Sequence, residues 1–200
     1  MKWIGLTGGI ATGKSSVSRI LQAAQSPVID ADQVAREVVA PGTTGLQQIE
    51  KEFGASMLLP DQSLDRKALG QITFSDPIAR KKLESILHPL IQARTKVLRE
   101  ELERAGHSYA IYDIPLLFET RAQSQFDAVA VVSCRPEQQR ERLRTRNNLT
   151  EQEINDRLAA QLPLRDKVAK ADFVIDNSGD LSHLQSEVER FLTWLSVPQR

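Results

Sequence analysis

Short apolar runs alternate with apolar residues at helical spacing, starting at the amino terminus. Lys2 to Thr7 is a mostly apolar run that breaks at a glycine pair, and apolar residues recur at helical spacing after Lys14. A second short run, Pro27-Val28-Ile29, ends in Asp30-Ala31-Asp32 and precedes another amphipathic segment. The pattern therefore predicts strand, loop and helix, followed by a second strand and a second helix.

Three further strand candidates occupy 109–112, 128–133 and 173–175, and each is rich in residues suited to buried strands. Apolar residues at 181, 184, 188, 191, 192 and 195 predict the inner stripe of a terminal helix. Strands that alternate with helices are typical of a parallel sheet. We therefore predict an α/β fold with a doubly wound, parallel, five-stranded sheet.

The connection between the second and third strands is unusually long. It exceeds 70 residues, whereas crossovers in such folds need about a dozen or two. Helical spacing recurs through it, and Ser75-Asp76-Pro77 is a helix-start signal. Pro89 interrupts the stretch that follows, either as a kink or as the first residue of a new helix. We predict a single domain, 1–200, with a helical insertion at 41–106 packed over one end of the sheet.

Composition narrows the class of protein. Lys plus Arg equals Asp plus Glu at 26 each, so the basic excess typical of nucleic-acid-binding proteins is missing. No stretch approaches the roughly 18 apolar residues that span a bilayer. The lone Cys134 excludes an internal disulfide and a Cys-rich zinc site, and we expect it to be buried. We expect a cytoplasmic monomer or small homo-oligomer without nucleic-acid or membrane partners.

The first loop carries a specific chemical signal. Gly8-Gly9-Ile10-Ala11-Thr12-Gly13-Lys14-Ser15 matches Gly, four residues, then Gly-Lys-Ser, between a predicted strand and a predicted helix. Backbone N–H groups and the helix N-terminus can surround a phosphate, Lys14 adds positive charge, and the Ser15 hydroxyl can ligate Mg²⁺. An ordinary glycine-rich turn is the alternative, and the strand-loop-helix context disfavours it. We predict a P-loop fold like that of the nucleotide kinases, which binds ATP with Mg²⁺.

Other segments help to decide between classes of P-loop protein. No asparagine begins the Asn-Lys-x-Asp segment that reads guanine, which disfavours a regulatory GTPase. Tyr109 to Asp113 leads into Ile114-Pro115, unlike a hydrolase signature, although Asp113 can still position a metal. Small-molecule kinases need an acceptor-binding subdomain, a carboxylate near the acceptor hydroxyl, and arginines around the transferred group. A nucleotide kinase and a slowly hydrolysing nucleotide-binding regulator remain alternatives.

Two aspartates supply candidate carboxylates. Asp30 and Asp32 follow the second strand at its carboxyl end, the edge where doubly wound folds bind ligands. The favoured interpretation of Asp30 is a helix N-cap, because that is the commonest use of aspartate at such a position. Asp32 can either complement the dipole of the following helix or take part in catalysis.

Arginines crowd a predicted helix that begins near Pro136. Arg142 and Arg146 share one helical face, whereas Arg140 and Arg144 share another, so only one pair is expected to face the phosphates. Such arginines can neutralise a transferring phosphoryl group. The alternative is a solvated face held by surface salt bridges.

In order, these motifs resemble those of the dephospho-coenzyme A kinase family over nearly the whole chain. The segments that carry the resemblance are Gly5 to Gly9, Val28 to Asp32 with Ala35-Arg36, Leu87-His88-Pro89-Leu90-Ile91, Asp113 to Glu119, Arg142 and Arg146 before Asn147, Gln161, Lys167, and Ala171 to Asn177. The resemblance implies that ATP phosphorylates the ribose 3′-hydroxyl of dephospho-coenzyme A, giving coenzyme A and ADP in the last step of coenzyme A synthesis.

The resemblance also implies residue roles. Asp32 acts as general base, the inserted helices bind the acceptor, and residues 136–170 form a lid. The catalytic set is Asp32, Lys14, Arg142 and Arg146. The ATP-binding set is Gly8, Gly9, Ala11, Thr12, Gly13, Lys14, Ser15, Ser16 and Asn177, with Asn177 beside the adenine. The substrate-binding set is Asp32, Arg36, His88 and Leu116, although His88 fits a structural role before Pro89 equally well.

One departure from the family pattern lies in the loop. Ala11-Thr12 stands where many relatives have Gly-Ser. Because alanine disfavours positive φ, we expect that the backbone at residue 11 does not need it and that the loop still functions.

Overall fold

The computed structural model describes residues 1–147 and 149–197. Its strands are β1 (Lys2–Gly8), β2 (Val28–Asp30), β3 (Tyr109–Asp113), β4 (Ala128–Ser133) and β5 (Phe173–Asp176). Its helices are α1 (Lys14–Ala23), α2 (Ala31–Glu37), α3 (Thr44–Phe53), α4 (Arg66–Ser75), α5 (Pro77–Arg104), α6 (Pro136–Asn147), α7 (Glu151–Ala159), α8 (Leu164–Val168) and α9 (Leu181–Ser196).

The five strands form one sheet in the order β2-β3-β1-β4-β5. Strand β1 pairs in parallel with β3 on one side and β4 on the other, and β4 pairs in parallel with β5. The chain therefore builds outward from β1 in both directions, which is the doubly wound arrangement. The predicted fold class is confirmed. Loops at the carboxyl ends of neighbouring parallel strands lie at one edge, which places the β1, β4 and β5 loops together.

A continuous apolar core joins the sheet to α1 and α9. Its most buried side chains are fully inaccessible to solvent, as expected for strands and helix faces that bury their apolar residues. They include Leu6, Val17, Ile111 and Phe191. The prediction for Leu181 was wrong, because its side chain is 64% exposed. Asp180 caps α9 through the His183 N–H, so Leu181 is the first helical residue and precedes the buried stripe.

Aromatic rings pack in two groups around this core. Trp3 stacks on Tyr112 and Phe126, with ring centroids 5.4 and 5.9 Å away. On β5 and α9, Phe173 lies 5.2 Å from Trp194 between ring centroids. Such contacts add to the stabilisation that burial of the rings already provides.

The described chain divides into two compact units. The first comprises Met1–Val28 and Leu102–Arg200, and the second Ile29–Glu101. The second has a core of its own, which includes Val39, Leu46, Ile49 and Leu69. The second unit differs from the predicted insertion, 41–106, at both ends. It also contains α2, and residues 102–106 belong to the first unit.

Helix α5 continues through Pro89 without a break, so of the two predicted alternatives, a kink or the first residue of a new helix, the second was wrong. Proline cannot donate to the carbonyl four residues earlier, at Ser85. Ser85, His88 and Pro89 are all exposed, so solvent can hydrate this turn. Within residues 1–147 and 149–197, no helix has both the length and the apolar composition needed to cross a lipid bilayer.

Candidate functional site

The Gly-rich loop joins the end of β1 to the start of α1. Gly13 is the residue before the helix and has φ 92°, and its carbonyl accepts hydrogen bonds from the N–H groups of Ser16 and Val17 at 2.8 and 3.3 Å. Helix α1 therefore begins directly at Lys14, with Ser15 exposed in its first turn. Free N–H groups and the dipole at such a helix end favour an anion.

Ala11 has φ 59°, so the expectation that residue 11 avoids positive φ was wrong. A left-handed conformation costs an L-residue with a Cβ about 1 to 2 kcal/mol. Hydrogen bonds to the neighbouring peptide units hold the conformation, since Arg142 donates to the Ala11 carbonyl at 3.3 Å. The loop geometry is thus imposed by its surroundings rather than by the preference of residue 11.

Two glycines of the loop have no room for a side chain. A Cβ on Gly13 would lie 2.0 Å from Asn177 Nδ2, and one on Gly8 would lie 2.7 Å from Thr12 Oγ1 and 3.0 Å from the Val132 carbonyl oxygen. Gly13 also has the positive φ that glycine adopts without cost. Close packing against β4 and the β5 loop therefore requires glycine at both positions.

Every backbone carbonyl from Gly8 to Gly13 accepts a hydrogen bond. The donors are side chains from other parts of the chain or groups within the loop and α1. We call these hydrogen-bonded carbonyls the carbonyl collar. Its donors are Lys167 Nζ to Gly8 at 3.2 Å, Thr12 N and Oγ1 to Gly9 at 3.2 and 2.9 Å, Gln139 Nε2 to Ile10 at 2.7 Å, Arg142 to Ala11 and Thr12 at 3.3 and 3.2 Å, Asn177 Nδ2 to Thr12 at 2.7 Å, and the α1 N–H groups to Gly13. In a trans peptide unit the carbonyl and the following N–H point in opposite directions. A carbonyl held outward therefore turns the next N–H inward.

Two N–H groups of the loop are already in use. The Ile10 N–H donates to Gln161 Oε1 at 2.9 Å, so it points toward the segment before α8. The Thr12 N–H closes the turn onto Gly9. The loop therefore offers a selected set of N–H groups to a ligand rather than all of them.

Lys14 pairs with the buried carboxylate of Asp113 at the end of β3. Asp113 is 3% exposed and also accepts a hydrogen bond from Ser18 Oγ at 2.5 Å. The Lys14 carbonyl oxygen lies 3.1 Å from the same hydroxyl, whose single proton is shared between the two acceptors. This network places a cation and a carboxylate beside the helix N-terminus, where phosphate and a divalent metal are both favoured.

The arginines of α6 divide between two surroundings. Arg142 reaches the loop and also donates to the Asn177 carbonyl at 3.1 Å. Arg140 instead pairs with Glu151 of α7 at 2.7 Å, and Arg144 pairs with Glu141 at 2.5 Å and with Glu151. The side chain of the predicted site residue Arg146 lies outside what the structure describes.

A buried ion pair lies beneath the loop. Lys167 has no exposed side-chain area and its Nζ lies 2.7 Å from Glu119 Oε1. The same oxygen accepts the Leu162 N–H at 3.0 Å. Burial disfavours the charged form of Glu119, but the hydrogen bonds from Lys167 and from backbone N–H groups outweigh it and hold the pKa of this carboxyl below its usual value.

The other predicted site residues lie on the second unit, except Leu116. Asp30 caps α2 by accepting from the N–H groups of Asp32 and Gln33 at 2.8 and 3.1 Å, which confirms its predicted cap role. Asp32 and Arg36 are exposed on α2, and His88 is exposed on α5. Leu116, in the segment after β3 of the first unit, is 42% exposed.

Cys134 is buried as predicted, and burial raises the pKa of its thiol.

The sequence alone assigned no role to three side chains that fix the loop. Gln139 and Lys167 donate to loop carbonyls, and Glu119 pairs with Lys167. Lys167 and Glu119 stood inside motifs, yet nothing in their neighbours indicated a buried ion pair. Gln139 lay among arginines in a strongly polar helix, where an amide looks like surface. Only the tertiary arrangement identifies them.

Comparison with known proteins gives consistent results. The family model described as dephospho-CoA kinase matches residues 2–183. The dephospho-CoA kinase of Bdellovibrio bacteriovorus is 55% identical over 98% of this chain and 96% of its own, and that of Anaeromyxobacter dehalogenans is 48% identical over 96% and 91%. The solved structure of the Campylobacter jejuni dephospho-CoA kinase superposes with a TM-score of 0.75 at 28% identity, covering 97% of this chain and 96% of that one.

Proposed function

This chain belongs to the dephospho-CoA kinase family, and from that premise we propose how its residues perform the reaction. The chain is an ATP-dependent kinase that phosphorylates dephospho-CoA in the last step of coenzyme A biosynthesis. We infer the roles of individual residues from their positions and contacts. The observation that carries them is the carbonyl collar, because it orients the phosphate loop before a nucleotide arrives.

The loop binds the phosphates of ATP through N–H groups on its concave side and through the first turn of α1. Gly8, Gly9 and Gly13 allow the backbone to approach the phosphates, and Ala11, Thr12 and Ser16 complete the contact surface. Preorganised donors of this kind stabilise developing charge without reorganising during the reaction. The Asn177 segment, fixed to the Thr12 carbonyl, lies beside the adenine.

Lys14 exchanges its Asp113 carboxylate for a phosphate oxygen when ATP binds. Ser18 keeps the carboxylate oriented after the exchange. A bound magnesium ion would neutralise part of the phosphate charge, and such ions need only one or two protein oxygens. The exposed Ser15 hydroxyl and the Asp113 carboxylate fit that donor set. Among the described residues, no group of three or more His, Cys, Asp or Glu forms a metal cage.

The second unit supplies the acceptor side of the reaction. The Asp32 carboxylate accepts the proton of the ribose 3′-hydroxyl or orients that hydroxyl toward the γ-phosphorus. Its exposed place in the first turn of α2 leaves it open to a ligand. Arg36, one turn later on the same helix, binds the acceptor. His88 and Leu116 make further acceptor contacts.

Arg142 and Arg146 neutralise the transferring phosphoryl group, and residues 136–170 form the lid. Arg142 already lies beside the loop, where it donates to the Ala11 and Thr12 carbonyls, and it would leave one of these acceptors to meet a phosphate. The balance of 26 basic and 26 acidic residues supports an enzyme without nucleic-acid partners. We propose a cytoplasmic monomer or small homo-oligomer without membrane partners.

An ADP-release assay with a panel of acceptors tests the function. We expect Mg·ATP turnover to depend on dephospho-CoA and to be much slower with AMP or a nucleoside, and the product to carry its new phosphate on the ribose 3′-oxygen by NMR. Faster turnover with AMP would assign a nucleotide kinase instead. ATP binding without acceptor-stimulated ADP release would assign a regulator.

A further inference from the structure

Lys167 is a fully buried cation in a part of the fold that could have been apolar. Its side chain has no exposed area, and its partners are Glu119 Oε1 at 2.7 Å and the Gly8 carbonyl at 3.2 Å. Removing an ammonium from water costs several kcal/mol, and a well-packed apolar pair is often as stable as a buried ion pair. Stability alone therefore does not explain a lysine here. The Gly8 carbonyl, at the first residue of the phosphate loop, indicates what it does.

Lys167 determines the orientation of the peptide unit between Gly8 and Gly9. Peptide bonds throughout residues 1–147 and 149–197 are trans, so the Gly9 N–H points away from the Gly8 carbonyl. With that carbonyl bonded to Lys167, the Gly9 N–H points away from the Lys167 ammonium. Glycine at both positions permits other peptide orientations at little cost, so the conformation needs an external anchor.

Glu119 holds the anchor in place. Its Oε1 binds Lys167 and also accepts the Leu162 N–H, so one carboxylate oxygen ties the cation to the chain before α8. Three residues before the helix that carries Lys167, Gln161 accepts a hydrogen bond from the Ile10 N–H. Residues 161–167 thus contact the loop at Gly8 and at Ile10, on either side of Gly9.

We propose that Lys167, held by Glu119, is a positioning residue that keeps the Gly9 N–H directed at the bound phosphates. The proposal rests on the proposed function, since it assumes that the loop binds ATP. Lys167 itself touches no phosphate, because the Gly8–Gly9 peptide lies between its ammonium and the concave side. The two members of the pair should therefore differ in their effects, with Lys167 acting on ATP affinity and Glu119 mainly on stability.

Four variants test this assignment: Lys167→Met, Glu119→Gln, the double variant Lys167→Met/Glu119→Gln, and the control Lys170→Met, an exposed lysine shortly after α8. For each, Mg·ATP affinity is measured by titration calorimetry, KM and kcat by ADP release, and stability by thermal melting. By analogy with groups that orient metal ligands, we expect both Lys167 variants to weaken Mg·ATP binding about 10- to 100-fold. KM for dephospho-CoA should stay near the wild-type value.

The Glu119→Gln protein should melt earlier but bind Mg·ATP more tightly than either Lys167 variant, because Lys167 can still donate to the Gly8 carbonyl. Lys170→Met should match the wild type in ATP affinity. The double variant removes the buried carboxylate that Lys167→Met leaves unpaired, so it addresses the risk that the single variant fails to fold.

Wild-type Mg·ATP affinity in a folded double variant would overturn the proposal, as would equal losses of affinity in Glu119→Gln and Lys167→Met. Failure of the double variant to fold, when Glu119→Gln folds, would overturn it too, because Lys167 would then be required for the fold itself. Failure of the proposed function gives a different result: wild-type protein would bind Mg·ATP in a Lys167-dependent way but release no ADP with dephospho-CoA.

Discussion

Positions 11 and 13 of the phosphate loop have similar backbone conformations but different tolerance of a side chain. Both have positive φ, 59° at Ala11 and 92° at Gly13. At Gly13 a Cβ would overlap the Asn177 amide nitrogen at 2.0 Å, whereas Ala11 carries its methyl group with only the conformational cost. The contact with Asn177 therefore decides which of the two must be glycine.

Lys14→Ala should leave the chain folded and reduce turnover by about 10² to 10³, the usual cost of removing one preorganised group that stabilises charge in the transition state. Some loss of stability is expected too, because Asp113 keeps Ser18 but loses a cationic partner inside the fold. Turnover at saturating substrates and a thermal melt separate the two effects. Near-wild-type turnover in the folded variant would contradict the assigned role of the loop.

Asp32→Asn should reduce turnover by about 10² to 10⁴, because the amide keeps the shape and cannot accept the proton. Positioning contributes beside proton transfer, since the transition state of phosphoryl transfer is loose. The measurement is kcat at saturating ATP and dephospho-CoA.

Asp30→Asn is the matched control for Asp32→Asn. Its amide oxygen can still accept from the Asp32 and Gln33 N–H groups, so only a fraction of the roughly 1 kcal/mol of a helix cap should be lost. A larger fall in turnover for Asp30→Asn than for Asp32→Asn would reverse the assignment of the general base.

At the scale of elements, α6 shows why helical periodicity separates its arginines. Arg142 donates to the Ala11 and Thr12 carbonyls, and Arg144, two positions later, pairs with Glu141 and Glu151 on another side of the helix. Residues two apart on a helix do not share a face. The same charge therefore stabilises the phosphate loop at one position and a surface network at the other.

Arg142→Ala should weaken ATP binding or turnover by about 10- to 100-fold, because hydrogen bonds from a charged group to two loop carbonyls and to Asn177 are lost. Arg144→Ala is the matched control. Its ion pairs are exposed and screened by solvent, so its kinetics should stay near those of the wild type. Steady-state kinetics with ATP as the varied substrate compares them, and equal small effects would favour a solvated face for both.

At the scale of the whole molecule, Glu119 links stability to pH. Because its pKa is lower in the folded chain than the ordinary 4.5, the folded state holds this proton more weakly than the unfolded state. The stabilisation from Glu119 is therefore fully present above about pH 4.5 and is lost as pH falls through the lower folded value. Protonation of Glu119 therefore contributes to the loss of folding stability at acidic pH.

Thermal melts of wild type and Glu119→Gln across this range measure the contribution. We expect wild type to melt higher near neutral pH and the difference to shrink as the pH falls from about 4.5 through the lowered folded pKa of Glu119, below which both side chains are uncharged. A difference that stays constant with pH would mean that Glu119 acts through packing and not through its charge.

Patterns within single elements made the sheet and the loop predictable. Apolar runs located β3, β4 and β5 to within a residue of their ends, and Ser75-Asp76-Pro77 marked the start of α5. The donors of the collar were not predictable, because they depend on packing between distant parts of the chain: Lys167 and Gly8 are 159 positions apart. Local periodicity indicates which face of a helix is buried, but not which carbonyl a buried lysine will meet.

The aromatic packing of the core has a spectroscopic consequence. The chain contains 2 tryptophans and 2 tyrosines, Trp3, Trp194, Tyr109 and Tyr112, and all of them belong to the first compact unit. Intrinsic fluorescence therefore reports on the sheet and α9 and is silent about Ile29–Glu101, whereas far-ultraviolet circular dichroism also registers α3, α4 and α5. Recording both signals in one denaturant titration resolves, without any label, whether the helical unit unfolds with the nucleotide-binding unit or before it.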